Sequence, residues 1–140
     1  MSISTSNNTL KTTLLAIATL VIVSTLGATP AFAKACKHVH IEVKNQTGAK
    51  VKIVDLDYWD TESEKWRSKS VRNEQINHNR TWQKRFNLGR VNGQDVKIRI
   101  EYRKQKWNRV FKKWMYSGKL YKTISAEKRC TKNAEFMMTL

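Results

Sequence analysis

From Asp95 to Arg103 apolar and polar side chains alternate without a fault. Val96, Ile98, Ile100 and Tyr102 fall on one face, and Lys97, Arg99, Glu101 and Arg103 on the other. A period of two is the signature of a half-buried strand. The same period runs through Val39, Ile41 and Val43, through Trp82, Lys84, Phe86 and Leu88, and through Phe136, Met138 and Leu140. Between Val51 and Tyr58 it slips once: Val51 and Ile53 are out of phase with Val54, Leu56 and Tyr58, which predicts a β-bulge. The pairs Thr47-Gly48, Asn92-Gly93 and Ser117-Gly118 mark turns. About seven short strands at this spacing predict an all-β domain, a small antiparallel sandwich of immunoglobulin-like or transthyretin-like build.

One stretch carries a second periodicity. Trp107, Val110, Phe111, Trp114 and Met115 recur at i, i+3, i+4, i+7 and i+8, the spacing of a short amphipathic helix over 106–115. Its other face would hold Lys106, Arg109, Lys112 and Lys113, the pattern of a segment lying on an anionic membrane. As a strand, Val110, Lys112, Trp114 and Tyr116 would share a face and pair in a hairpin with 119–124. The β-rich surroundings favour the hairpin, because tertiary context overrides local period.

The first 33 residues differ from the rest. A single charge at Lys11 precedes an apolar run from Leu14 to Leu26, followed by Gly27, Pro30 and Ala31-Phe32-Ala33. This predicts a secretory signal peptide cut after Ala33. A retained anchor is the competing reading, but the run falls short of the ~20 residues that span a bilayer core. A lipid-modified Cys36 is disfavoured by Lys34 and Ala35 before it. The expected product, residues 34–140, is one domain working outside the cytoplasm, secreted or periplasmic. Cys36 and Cys130 are the two cysteines of the chain, and an oxidising compartment makes them a disulfide. Closing so long a loop stabilises the fold by about 4 to 5 kcal/mol on chain-entropy grounds. That use leaves no thiol for catalysis.

Charge then sharpens the picture. The 140-residue chain has a formal net charge of +16, far above the ~2 to 8 that suits the solubility of a small domain. Between Lys97 and Lys132 thirteen basic residues stand against two acidic ones. The candidate anionic-ligand site is Lys97, Arg99, Arg103, Lys104, Lys106, Arg109, Lys112 and Lys113, with Trp107 and Trp114 interleaved. Cations attract a polyanion over distance and release its counterions, while aromatic rings stack on bases or sugars or enter a lipid interface. The expected partner is therefore anionic: lipid headgroups, envelope polysaccharide, nucleic acid or an acidic protein, with no small-molecule substrate. Most of the five tryptophans, at 59, 66, 82, 107 and 114, read as core by residue type.

Other constellations carry less. Asp55, Asp57, Asp60, Glu62 and Glu64 crowd into ten positions, where hard oxygens could hold calcium. Their spacing is not that of an EF-hand, and Lys65 and Arg67 beside them suggest a charged hairpin, or a loop that docks on the basic region of a second copy. His38 and His40, at i and i+2 on one strand face, could chelate zinc or copper with His78 as third ligand. The same three histidines would suit a small basic ribonuclease, if the fold brought His78 across from the others. No nucleophile-elbow motif and no phosphate-cradling loop is present. Asn45 and Asn79 stand in glycosylation acceptor patterns. The sequence thus predicts a non-enzymatic binding protein without metal or cofactor. Three alternatives stand beside it: a membrane-active toxin or antimicrobial protein inserting Trp107, Phe111 and Trp114, an inhibitor or immunity factor for one protein, and the ribonuclease.

Overall fold

The computed structural model describes residues 34–140; the expected signal peptide and its cleavage after Ala33 lie outside the described residues. Eleven strands form the fold: β1 (Cys36–Lys44), β2 (Val51–Asp60), β3 (Lys65–Lys69), β4 (Gln75–Ile76), β5 (Thr81–Leu88), β6 (Asp95–Val96), β7 (Ile98–Asn108), β8 (Lys113–Tyr116), β9 (Tyr121–Ile124), β10 (Lys128–Arg129) and β11 (Glu135–Thr139). No helix occurs among the described residues. Three of the eleven, β4, β6 and β10, are two residues long; β4 and β10 are too short for any alternation to be visible, while β6 is the start of the alternating run from Asp95 to Arg103, which the structure interrupts at Lys97.

Two sheets pack face to face as a small β-sandwich. The smaller has the order β11-β1-β5, and the larger runs β3-β2-β7-β8, with β4 sharing an edge of β2 and β9 an edge of β7. A short β6–β10 pair stands beside them. Pairing is antiparallel except between β1 and β11, which run parallel from His40 and Glu135 to Lys44 and Thr139. The smaller sheet contributes Val39, Ile41, Val43, Leu88, Phe136 and Met138 to the core, and the larger Val51, Ile53, Leu56, Tyr58, Ile98, Ile100 and Tyr102. These are the in-phase residues of each alternating run, so the period of two fixes which face is buried. The slip in β2 is a real irregularity: the register against β7 shifts between Ile53 and Asp55, and the extra residue, Val54, is exposed.

Cys36 and Cys130 form the disulfide, both wholly buried. It ties the first residue of β1 to the residue after β10. The eleven strands, their buried core and both cysteines lie within 36–139, so this part of the chain carries a complete core and can fold by itself.

Two polar residues organise the loops. Asn45 is fully buried at the end of β1. Its Nδ2 donates to the carbonyls of Ala49 and Ile76 at 2.8 and 2.9 Å, and its Oδ1 accepts from the backbone N–H and the hydroxyl of Thr47. Its amide is spent on the β1–β2 turn, so the acceptor pattern at Asn45 falls on a buried side chain; Asn79 is exposed. The acidic run is the charged hairpin. Asp60 accepts from Arg67 Nε at 2.6 Å, and Asp57 accepts from Ser68 Oγ and twice from Arg99. Burial opposes ionisation of Asp60, yet hydrogen bonds from Arg67 and Ser63 and the guanidinium charge overcome it and hold the carboxyl below its usual value.

Candidate functional site

β7 is the longest strand, and its two halves have different neighbours. Up to Lys104 it pairs with β2, and from Gln105 to Asn108 its partner is β8. The chain from 105 to 116 is thus a hairpin that continues β7 beyond β2. Asn108 shapes its loop: its Oδ1 accepts from the backbone N–H groups of Val110 and Phe111, each at 3.0 Å. Lys112 closes the loop in the left-handed region, at φ 48°.

Register then sorts the side chains. Trp107 lies opposite Trp114, and Gln105 opposite Tyr116, on one face; Lys106 lies opposite Met115, and Asn108 opposite Lys113, on the other. The two indoles meet edge to face at 5.8 Å. The helix-like spacing of 107, 110, 111 and 114 is therefore a hairpin seen in sequence: a cross-strand pair flanks a loop whose two apolar residues sit at the tip. The hairpin reading holds, with a correction to its partner. Residues 113–116 pair back on 105–108, while 121–124 pair with 99–102, and Val110 stands in the loop rather than in a strand.

Exposure singles out this tip. Val110 is 83% exposed, Phe111 64%, Trp114 61% and Trp107 48%. Trp107 and Trp114 are thus not core residues. A second cross-strand tryptophan pair, Trp59 and Trp66, meets edge to face at 5.4 Å on the hairpin from β2 to β3. That pair is half-buried, and Arg99 covers Trp66 at 4.3 Å. The same motif is roofed in one place and bare in the other.

The cations divide in the same way. Lys106, Arg109, Lys112 and Lys113 are exposed, and none stands in a salt bridge among the described residues. Lys113 Nζ lies 5.7 Å over the Phe111 ring. Arg103 is exposed at the base of the hairpin. Lys104 turns its ammonium over Tyr121 at 4.8 Å, with Lys119 on the same ring at 5.0 Å. Lys97 and Arg99 fare otherwise. Lys97 faces Glu127 at 3.4 Å, and Arg99 donates from Nε and Nη2 to Asp57 Oδ2 at 2.9 and 2.6 Å with Glu101 at 3.8 Å. Their charges are met within the fold, so neither belongs to the hairpin's cationic cluster.

No family model matches the chain, and neither a curated protein nor a solved structure does. The geometry of the site stands by itself.

Sequence spacing does not point to Lys52, Lys119 or Tyr116. Lys52 Nζ lies 5.8 Å over the Tyr116 ring at the hairpin base, a meeting set by the register of β2 on β7. The Tyr116 hydroxyl is buried without a hydrogen-bond partner among the described residues, and burial pushes its pKa up. The histidines are dispersed. His38 sits at φ 56° where the β1–β5 register shifts, His40 Nε2 lies 3.2 Å from Gln83 Oε1, and His78 Nδ1 accepts from the Gly48 N–H. Among the described residues no three of His, Cys, Asp and Glu stand together as metal ligands.

Proposed function

We propose that this protein is a secreted or periplasmic, non-enzymatic binding protein that attaches to an anionic surface or polymer through its 105–116 hairpin. One observation carries the reading: four cations without carboxylate partners among the described residues surround four exposed apolar side chains on a single projecting hairpin. A merely soluble surface avoids such a cluster, since exposed apolar groups gain nothing from water and mark contact sites. The cations supply attraction and orientation; the rings supply contact once the partner is reached. The disulfide and the signal-like first 33 residues support an extracytoplasmic setting.

The test is binding of oxidised residues 34–140 to a soluble polyanion such as heparin and to anionic vesicles, as a function of salt. Charge reversal at Arg103, Lys106 and Arg109 is expected to weaken binding and flatten its salt dependence, by roughly 0.7 to 0.9 in log-log slope for each ion pair with the polyanion that is removed. Unchanged binding overturns the assignment.

A further inference from the structure

We infer that the partner of the hairpin is an anionic lipid bilayer, entered tip-first by Val110 and Phe111 to the level of the Trp107–Trp114 pair and no deeper. The inference rests on the proposed anionic binding and commits it to one partner.

The order of side chains along the hairpin matches the order of layers at a membrane surface. Val110 and Phe111 form the summit and are its most exposed apolar residues. Next come Arg109 and Lys112, which flank them in the loop, and then Trp107 and Trp114 across the strands. Apolar side chains favour the acyl boundary, indoles favour the headgroup level, and long basic side chains reach back to phosphate. A bundle of cations alone would serve any polyanion. An apolar summit gains nothing from a water-soluble polyanion and is stabilised by leaving water for an apolar medium.

The backbone is prepared for that medium. Loop N–H groups that leave water must find another acceptor or cost free energy. Asn108 Oδ1 takes those of Val110 and Phe111, so the two residues that lead already have their donors satisfied by the protein.

The strands also set the depth. β8 is four residues long, whereas a membrane-spanning strand needs ~9 to 11, and a two-stranded ribbon has free edges that hydrocarbon does not accept. Behind the tryptophan pair stand Arg103, Lys104 and Lys52, which hold the sheets at the headgroups. The arrangement docks without opening a pore.

Nucleic acid fits less well. Single strands bind on ring faces laid out for stacking, and here the two indoles turn edge to face on each other behind an apolar tip.

The experiment uses oxidised residues 34–140 with vesicles of phosphatidylglycerol and phosphatidylcholine, some carrying brominated acyl chains, and heparin in parallel. Wild-type protein is expected to give a blue-shifted tryptophan emission that brominated chains quench and near-physiological salt does not abolish, with an entrapped dye retained. The pair Val110→Ser and Phe111→Ser, which leaves the charge of the loop unchanged, should lower vesicle partition by about tenfold or more while heparin binding stays within about twofold. Both positions are exposed loop residues, and an unchanged melting temperature verifies the fold. Vesicle binding without quenching, or equal partition of the Ser variant, overturns insertion while leaving the anionic reading intact if heparin still binds. Dye release overturns the depth limit. Absence of binding to vesicles and heparin alike overturns both readings.

Discussion

Arg99 places two of its donors on one oxygen of the buried Asp57 carboxylate and lays its guanidinium 4.3 Å over the Trp66 ring. Asp57 is 2% exposed, so removing the arginine leaves an uncompensated buried charge. Arg99→Ala is expected to destabilise the fold by about 3 kcal/mol, read as a lower urea midpoint. Arg99→Lys recovers only part of this, because an ammonium cannot reproduce the planar stack and paired donors. Neither variant should alter the salt dependence of binding to vesicles or heparin.

Lys97 offers the complementary contrast. Its ammonium faces Glu127 on the surface, so Lys97→Ala should leave polyanion affinity within about twofold, while Arg109→Ala should lower it and reduce the salt slope. Equal losses for the two would show that net charge, and not the hairpin, drives binding.

Asp60 predicts an acid transition. Its folded pKa lies below the ordinary 3.8; its ionised form therefore stabilises the fold above that value, and the contribution disappears as pH falls through the folded pKa. Stability should decline as the solution is acidified below about pH 3.8. Asp60→Asn should flatten that decline and cost about 1 to 2 kcal/mol at neutral pH, where the charge that pairs with Arg67 is lost. Chemical denaturation near neutral pH and at two values on either side of 3.8 separates the two effects.

The Tyr116 hydroxyl has the opposite character. It is buried with no hydrogen-bond partner among the described residues, so deleting it removes a desolvation cost and breaks no bond. Tyr116→Phe should leave stability unchanged or raise it by up to about 1 kcal/mol. A clear loss in thermal or urea unfolding would show that the hydroxyl is satisfied after all.

Replacing Cys36 and Cys130 together by Ser should cost about 4 kcal/mol, since the bridge closes a loop of 94 positions. Calorimetry of the double variant checks this. A change below about 1 kcal/mol would mean that the unbridged chain is already held together by its sheets.

Much of this architecture was legible in the pattern of the chain, and the exceptions have physical causes. Where a strand has one wet and one dry face, as in β11 and the first half of β7, alternation names the buried residues; it also shows that β2 has a bulge, though it groups Val54 with Leu56 and Tyr58 where the fold leaves Val54 exposed. Two-residue strands carry no period, so β4 and β10 leave no trace in the pattern, and β6 shows only as the start of the run that continues into β7. Pairing direction is also absent from the pattern, because a strand alternates identically whichever way its neighbour runs, and the parallel β1–β11 contact emerged only from the fold. The cationic cluster was visible as composition, but its division was not. Arg99 and Arg109 look alike in sequence and differ because only one lies opposite a buried carboxylate. Asn45 is a related case: the amide that fits a glycan-acceptor pattern also suits a turn, and its burial in the β1–β2 turn is set by the fold.

The parallel contact of β1 with β11 joins residues 40–44 to residues 135–139, and β1 is the middle strand of its sheet. The first strand formed thus lacks one neighbour until the last strand has been synthesised, and its antiparallel partner β5 alone cannot complete the sheet. Such distant pairings pay their loop-closure entropy before any contact repays it, which makes folding slow. The local β2–β3 and β7–β8 hairpins need no such wait, so in a chain made from its N-terminus onward it is the β11-β1-β5 sheet that closes late.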